Sequence, residues 1–196
     1  MNPKSKTIKI DLPSWLQERL TLATGIYATI EGRMDFVIEL SRNNIEYGTG
    51  GPFAAAVFDM DSGRVLAAGV NLVTTAGLSI AHAEMVALMQ AQSILGNFDL
   101  GARGMPRCGL FSSTAPCAMC LGAVPWAGVR TLVCGARDED ARVVGFDEGS
   151  KREDWVKELE VRGIEVVCDV CRDDAAAVLR DYVDGGGVVY NGRNRK

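Results

Sequence analysis

Apolar residues recur along this chain at helical spacing in some segments and as short continuous runs in others, and the switches mark its elements. In EGRMDFVIELSRNNI, Met34, Val37, Ile38 and Ile45 fall at helical spacing. GTGGP then breaks the chain. FAAAVFD and RVLAAGV, separated by Asp61-Ser62-Gly63, read as a β-hairpin. AHAEMVALMQAQSIL reads as a helix with an apolar stripe through Met85, Leu88 and Met89. CGLFSS reads as a buried strand, CAMCLGAVPWAG as a short helix and RTLVCGA as another strand. REDWVKELEVRG is helical, IEVVC extended and RDDAAAVLRDYV helical again. A helix lies between the strands near Leu132 and Val166, so those two are expected to run parallel through a crossover. Residues 1–11 read as a loose arm. Gly185-Gly186-Gly187 detaches a tail, VVYNGRNRK, from the last helix.

Composition narrows the setting. At 196 residues and 47% hydrophobic, the chain suits one domain with a core that needs no disulfide staples. The net charge of −4 speaks against a nucleic-acid partner. The N-terminal lysines precede no apolar run, so no signal peptide is expected, and no stretch approaches a membrane span. The expected compartment is the cytoplasm, with the six cysteines reduced.

Two Cys-x-x-Cys pairs invite a metal reading: Cys117 with Cys120, and Cys168 with Cys171. A shared four-cysteine site is one option. The pairs lie much further apart than the ~15–20 residues of a zinc ribbon. A thioredoxin-like pair is also poorly placed, because it should follow the first strand of a βαβ unit. Cys108, Cys134, Cys168 and Cys171 read more simply as small buried hydrophobes.

The better third ligand is the chain's single histidine, His82, at a helix start two positions before Glu84. Cys117 and Cys120 share a helix face at i, i+3, and a helix N-terminus favours their thiolates. Three protein ligands leave one tetrahedral position for water, as catalytic zinc sites do. Glu84 is then the carboxylate beside that water and the natural proton carrier.

HAE followed by PCAMC is similar to the H-x-E…P-C-x-x-C signature of the zinc-dependent cytidine-deaminase-like superfamily, in which the Glu is general acid/base and not a ligand. The resemblance spans about residues 34–182. It implies an α/β fold, a three-layer α/β/α sandwich around a five-stranded mixed sheet, with Zn2+ between two helix N-termini. It also implies a deaminase domain over residues 31–184, an N-terminal extension over 1–30 and a tail over 185–196.

Within that superfamily the guanine deaminase branch is the most similar. GGPFAAAVFD puts Phe53 at its base-packing phenylalanine, GVNLVTT puts Asn71 at its base-reading amide, and VPWAGV puts Trp126 at a pocket tryptophan. GFDEG resembles the branch's GFDD or GFDE run and makes Glu148 a second catalytic acid. Ala83 and Tyr190 complete the substrate-binding set that the resemblance implies, with the tail as a lid over its own or a neighbour's site. Taken singly, Phe53 and Trp126 also read as core, Asn71 as a turn residue and the GFDEG run as a solvated loop.

The expected activity is hydrolytic deamination of a free base, guanine to xanthine plus ammonia, by a homodimer that binds no nucleic acid and no membrane. An aminotriazine such as ammeline offers the same ring edge. A tRNA adenosine deaminase would carry a histidine where Trp126 stands. Cytosine and cytidine deaminases generally manage with one acid. Outside the class stands a non-catalytic zinc-stabilised interaction domain.

Overall fold

The patterned segments form a five-stranded sheet between helices in a computed structural model of the chain, which describes residues 7–189, 191 and 192. The order is α1 Ser14–Leu22, α2 Ile30–Glu46, β1 Ala54–Asp59, β2 Val65–Val70, α3 Val73–Ala76, α4 Ala83–Leu95 and β3 Cys108–Thr114. It continues with α5 Ala118–Ala127, β4 Thr131–Ala136, α6 Asp138–Val143, α7 Trp155–Val161, β5 Glu165–Val167 and α8 Arg172–Asp184.

Across the sheet the strands lie β2-β1-β3-β4-β5. β1 is antiparallel to β2 and to β3, whereas β3, β4 and β5 are parallel. Leu132 pairs with Val166, so the expected crossover is present. Every residue of β3 and β4 is buried, as suits parallel strands covered on both faces.

The two-residue period divides the core. Phe58, Phe111 and Val133 face α2 and α8. Val57, Leu110 and Leu132 face α4, α5 and α7. The architecture is therefore the expected α/β/α sandwich. Gly69 of β2 is required by this packing, because a Cβ there would lie 2.5 Å from the Ala83 carbonyl oxygen and the Ala87 nitrogen. Its bare backbone lets the first turn of α4 settle on the sheet. Among the described residues, no helix is long and apolar enough to cross a membrane.

Several sequence expectations are corrected. The N-terminal stretch contains α1, whose Trp15 and Leu16 join the main core. The Trp15 indole donates to the Thr49 hydroxyl at 3.0 Å and its ring stacks on Tyr47. On α4 the buried face runs through Ala83, Val86, Ala87 and Leu88, while Met85 is half-buried and Met89 exposed. The small residues lie on the sheet because the helix sits so close to it. Cys108 and Cys134 are buried as expected, but Cys168 is exposed and Cys171 half-buried. β5 ends at Val167, and Asp169 and Cys171 both take positive φ, so the chain turns outward before the second cysteine pair can enter the core.

Candidate active site

Two helix starts meet above the sheet. His82 is the N-cap of α4 and Cys117 the N-cap of α5, with Cys120 one turn further on. Their ligand atoms all lie within 4.8 Å of one another, and this is the one group of its kind among the described residues. The Cys117 sulfur lies 3.5 Å from His82 Nδ1. Cys168 and Cys171 take no part in this cluster.

The cluster behaves as a ligand set in want of a cation. The hydrogen bond from Cys120, with further help from His82, holds the Cys117 thiol down at about 4, against the opposing effect of burial. Cys120, bonded to that thiolate and buried, is pushed far up. The two sulfurs thus share a proton that a metal ion would displace. Burial lowers the His82 pKa, but its hydrogen bond to Cys117 and the nearby charges of Glu84 and Cys117 outweigh it and raise the net value. One imidazole nitrogen and two sulfurs at this spacing fit zinc.

Beside the cluster opens a cavity of about 380 Å³. Two acids face into it. Glu84, in the first turn of α4, is 7% exposed, and Glu148, between α6 and α7, is 6% exposed. Burial raises the pKa of Glu84, and the Cys117 charge adds to it. Burial pushes Glu148 up to about 8, with Cys117 and Glu84 contributing.

The cavity's apolar wall is aromatic. Phe53 meets Phe146 edge-on at 4.9 Å between centroids, and Phe146 lies near-parallel to Tyr182 at 6.2 Å. Asn71 also lines the cavity, its Oδ1 accepting from the Val73 N–H at 3.3 Å. The GTGGP break serves Asn71: a Cβ at Gly50 would lie 1.8 Å from the Asn71 carbonyl oxygen, so only glycine admits this approach.

Three expected substrate-binding residues fall elsewhere or go undescribed. Trp126 does not line this cavity; it is 86% exposed and borders a groove with Trp155 on the far side of α5. It lies six residues beyond Cys120, about 240° around the helix at 3.6 residues per turn, so it cannot share the ligand face. The second ring beside Phe53 in this cavity is Phe146. Ala83 is buried against the sheet and does not line the cavity. Tyr190 lies outside the described residues.

The sequence reading also missed wall residues. Tyr182, Val188 and Asn191 line the cavity, so the chain's own tail borders its own site. Asn191 Nδ2 donates to the Gly145 carbonyl at 2.9 Å, and its Oδ1 accepts from the Asp147 N–H at 2.8 Å. An asparagine in a glycine-rich tail gives little warning of this. Phe146 did give a signal, as a large apolar residue in an acidic loop. Thr114 also borders the cavity, and its hydroxyl is buried with no hydrogen-bond partner among the described residues.

A three-donor cluster, two buried acids and an aromatic wall together suit attack of water on an aminated ring, the business of a hydrolytic deaminase. Residues 29–136 match the family described as the cytidine and deoxycytidylate deaminase zinc-binding region, and the chain belongs to that family. Guanine deaminase of Bacillus subtilis is 35% identical over 127 residues, which are 65% of this chain and 77% of that protein. A solved guanine deaminase from Nitrosomonas europaea superposes with a TM-score of 0.87 at 47% identity, covering 91% of this chain and 97% of that one. A structure of the protein NE0047 in complex with 2,6-diaminopurine also has a TM-score of 0.87, at 48% identity, over 94% of this chain and 97% of that one.

Proposed function

We propose that this chain is a zinc-dependent guanine deaminase, converting guanine and water to xanthine and ammonia. The observation that carries the reading is the pair of buried acids, Glu84 and Glu148, facing one aromatic-walled cavity at a His–Cys–Cys cluster. His82, Cys117 and Cys120 would hold the zinc. Bound there, zinc supplies the Lewis acidity that ionises water near neutral pH.

The chain's own residues do the rest. The flat base packs against the wall that Phe53 and Phe146 form together, and Asn71 hydrogen-bonds its edge. Glu84 takes the proton from the attacking water and passes it to the ring nitrogen beside C2. The C2–amine bond then breaks as Glu148 delivers a proton to the departing nitrogen, and the C2 hydroxyl gives its proton back to a carboxylate as it becomes the carbonyl of xanthine. Burial favours the protonated form of this carboxyl, as that task requires. The tail, fixed by Asn191, closes the cavity over the base and excludes water.

The remaining assignments follow from the surface. Trp126, exposed on α5 beside the half-buried Leu121, suits burial against a second copy of this chain, which makes the homodimer part of the proposal. All six cysteines are free, which accords with a reducing cytoplasm. The net charge of −4 favours a free base over a tRNA.

The deciding experiment is ammonia release by the purified protein from guanine, ammeline, cytosine, cytidine and adenosine. Guanine is expected to give the highest kcat/KM. A preference for ammeline moves the substrate to triazines, and a preference for cytidine removes the role given to the second acid. Sedimentation of wild type and Trp126→Ala separates a dimer from a monomer.

A further inference from the structure

One buried charge has no part in the scheme above. The Lys151 side chain is 2% exposed. Its Nζ lies 3.3 Å from Asp138 Oδ2, donates to the Pro116 carbonyl at 3.0 Å and sits 4.8 Å from the centre of the Trp155 ring. An ammonium group gives up much hydration to be placed so, and is normally retained only where its partners are fixed around it.

Those partners come from three places. Asp138 opens α6, Trp155 opens α7, and Pro116 directly precedes the ligand Cys117. Lys151 is itself three residues beyond Glu148. A second tie runs parallel to it: the Ala118 N–H donates to the Glu148 carbonyl at 2.9 Å. The segment 148–151 is thereby fastened at both ends along the turn 116–118. This double strip forms the partition between the active-site cavity and the groove beyond α5, with Ala118 lining both.

We propose that Lys151 is a positioning residue, which fixes the Glu148 carboxyl relative to the ligand turn by clamping the two segments together. The inference rests on the role given above to Glu148. Without the clamp, the Ala118 bond and the Asn191 bond to Asp147 hold only the Glu148 end of the segment, and its Lys151 end is free to swing. A shift of about 1 Å at a reacting group costs on the order of 10²-fold in rate. The Lys151 charge also opposes the upward pull of burial on the Glu148 pKa.

The test uses the full-length protein with Lys151→Met, Lys151→Arg, Glu148→Gln and the double variant Lys151→Met/Glu148→Gln. Methionine keeps an unbranched apolar stem against Trp155, and Asp138 retains Arg142 at 3.5 Å, so no acid is orphaned. With guanine, Lys151→Met is expected to lose about 10–100-fold in kcat. Its KM should stay within about twofold and its zinc content should be unchanged. Lys151→Arg keeps the charge and should recover part of kcat. Because Lys151 acts through Glu148, the double variant should be within about twofold of Glu148→Gln.

Wild-type kcat in Lys151→Met overturns the proposal. So does a loss of kcat matched by loss of zinc, or losses that multiply in the double variant. Glu148→Gln at the wild-type rate overturns the role of Glu148 and the clamp with it. An inactive Glu148→Gln beside a fully active Lys151→Met removes only the clamp.

Discussion

The side chain of Asn191 grips the backbone on both sides of Phe146, accepting from the Asp147 N–H at 2.8 Å and donating to the Gly145 carbonyl at 2.9 Å. The tail is therefore pinned to the loop that carries the second acid. Each bond is worth about 1 kcal/mol net. Asn191→Ala should lower kcat/KM for guanine roughly tenfold. It should also speed proteolytic cleavage near Gly185–Gly187, with zinc content constant. Unchanged kcat/KM would show the tail to be idle.

The two cysteine pairs make opposite predictions for the metal. Cys117→Ser should remove most of the zinc and all turnover, since one of three donors is lost. Cys168→Ser should leave both unchanged, because Cys168 is exposed and outside the cluster. Metal analysis of the two purified variants decides. An emptied site in Cys168→Ser would revive the shared four-cysteine arrangement.

Glu84→Gln keeps the shape of the side chain but cannot carry a proton. Turnover of guanine should fall by at least the ~10²–10⁴-fold that general acid–base catalysis supplies. Zinc should remain near one per chain. Near-normal turnover in single-turnover kinetics would exclude Glu84 as the base.

Substrate choice rests on Glu148. Glu148→Gln should depress guanine and ammeline turnover in parallel, since the same amine leaves both rings. Wild type should handle cytidine poorly, because a ribose must share a slot walled by Phe53 and Phe146. Steady-state kinetics on the three compounds, with metal content measured alongside, separates loss of chemistry from loss of zinc.

Acid should loosen the wall behind that loop. Asp140 caps α6 and receives both Arg172 Nε and Nη2 at 2.8 Å, and its hydrogen bond to Arg172 holds its pKa below the usual range. A depressed carboxylate stabilises the fold above its unfolded value near 3.9, and that contribution is lost as pH falls through the folded value. The pair is partly solvated, so the expected effect is small. Asp140→Asn should cost about 1 kcal/mol at pH 7, with the difference from wild type shrinking below about pH 4. Urea titrations at the two pH values measure it.

Much of this was legible in the chain because period and chemistry coincide there. The apolar runs of β1 and β2 split by Asp61-Ser62-Gly63, and the paired HAE and PCAMC motifs at helix starts, each leave a local mark. Trp126 lies away from the chain's own cavity: a motif match says nothing of helical phase, and phase turns it away from Cys120. The helix α1 went unseen because two residues, Trp15 and Leu16, carry its burial. Cys168 was placed inside by composition, yet a strand that stops one residue earlier leaves it in water. Asn191 reaches the site through tertiary contact alone, which no spacing in the sequence encodes.

The first helix has one more consequence. The Trp15 indole donates to Thr49 Oγ1, Thr49 Oγ1 donates to Asn44 Oδ1 at 2.7 Å, and Asn44 Nδ2 donates to the Asn71 carbonyl at 3.0 Å. Three links thus join the amino-terminal helix to Asn71 on the cavity wall. For anyone preparing this protein, trimming to the family-matched boundary at residue 29 discards the first link, although every ligand and both acids remain. Such a shortened chain should still load zinc while binding its substrate less tightly, so the start of the reading frame chosen for expression belongs among the determinants of affinity.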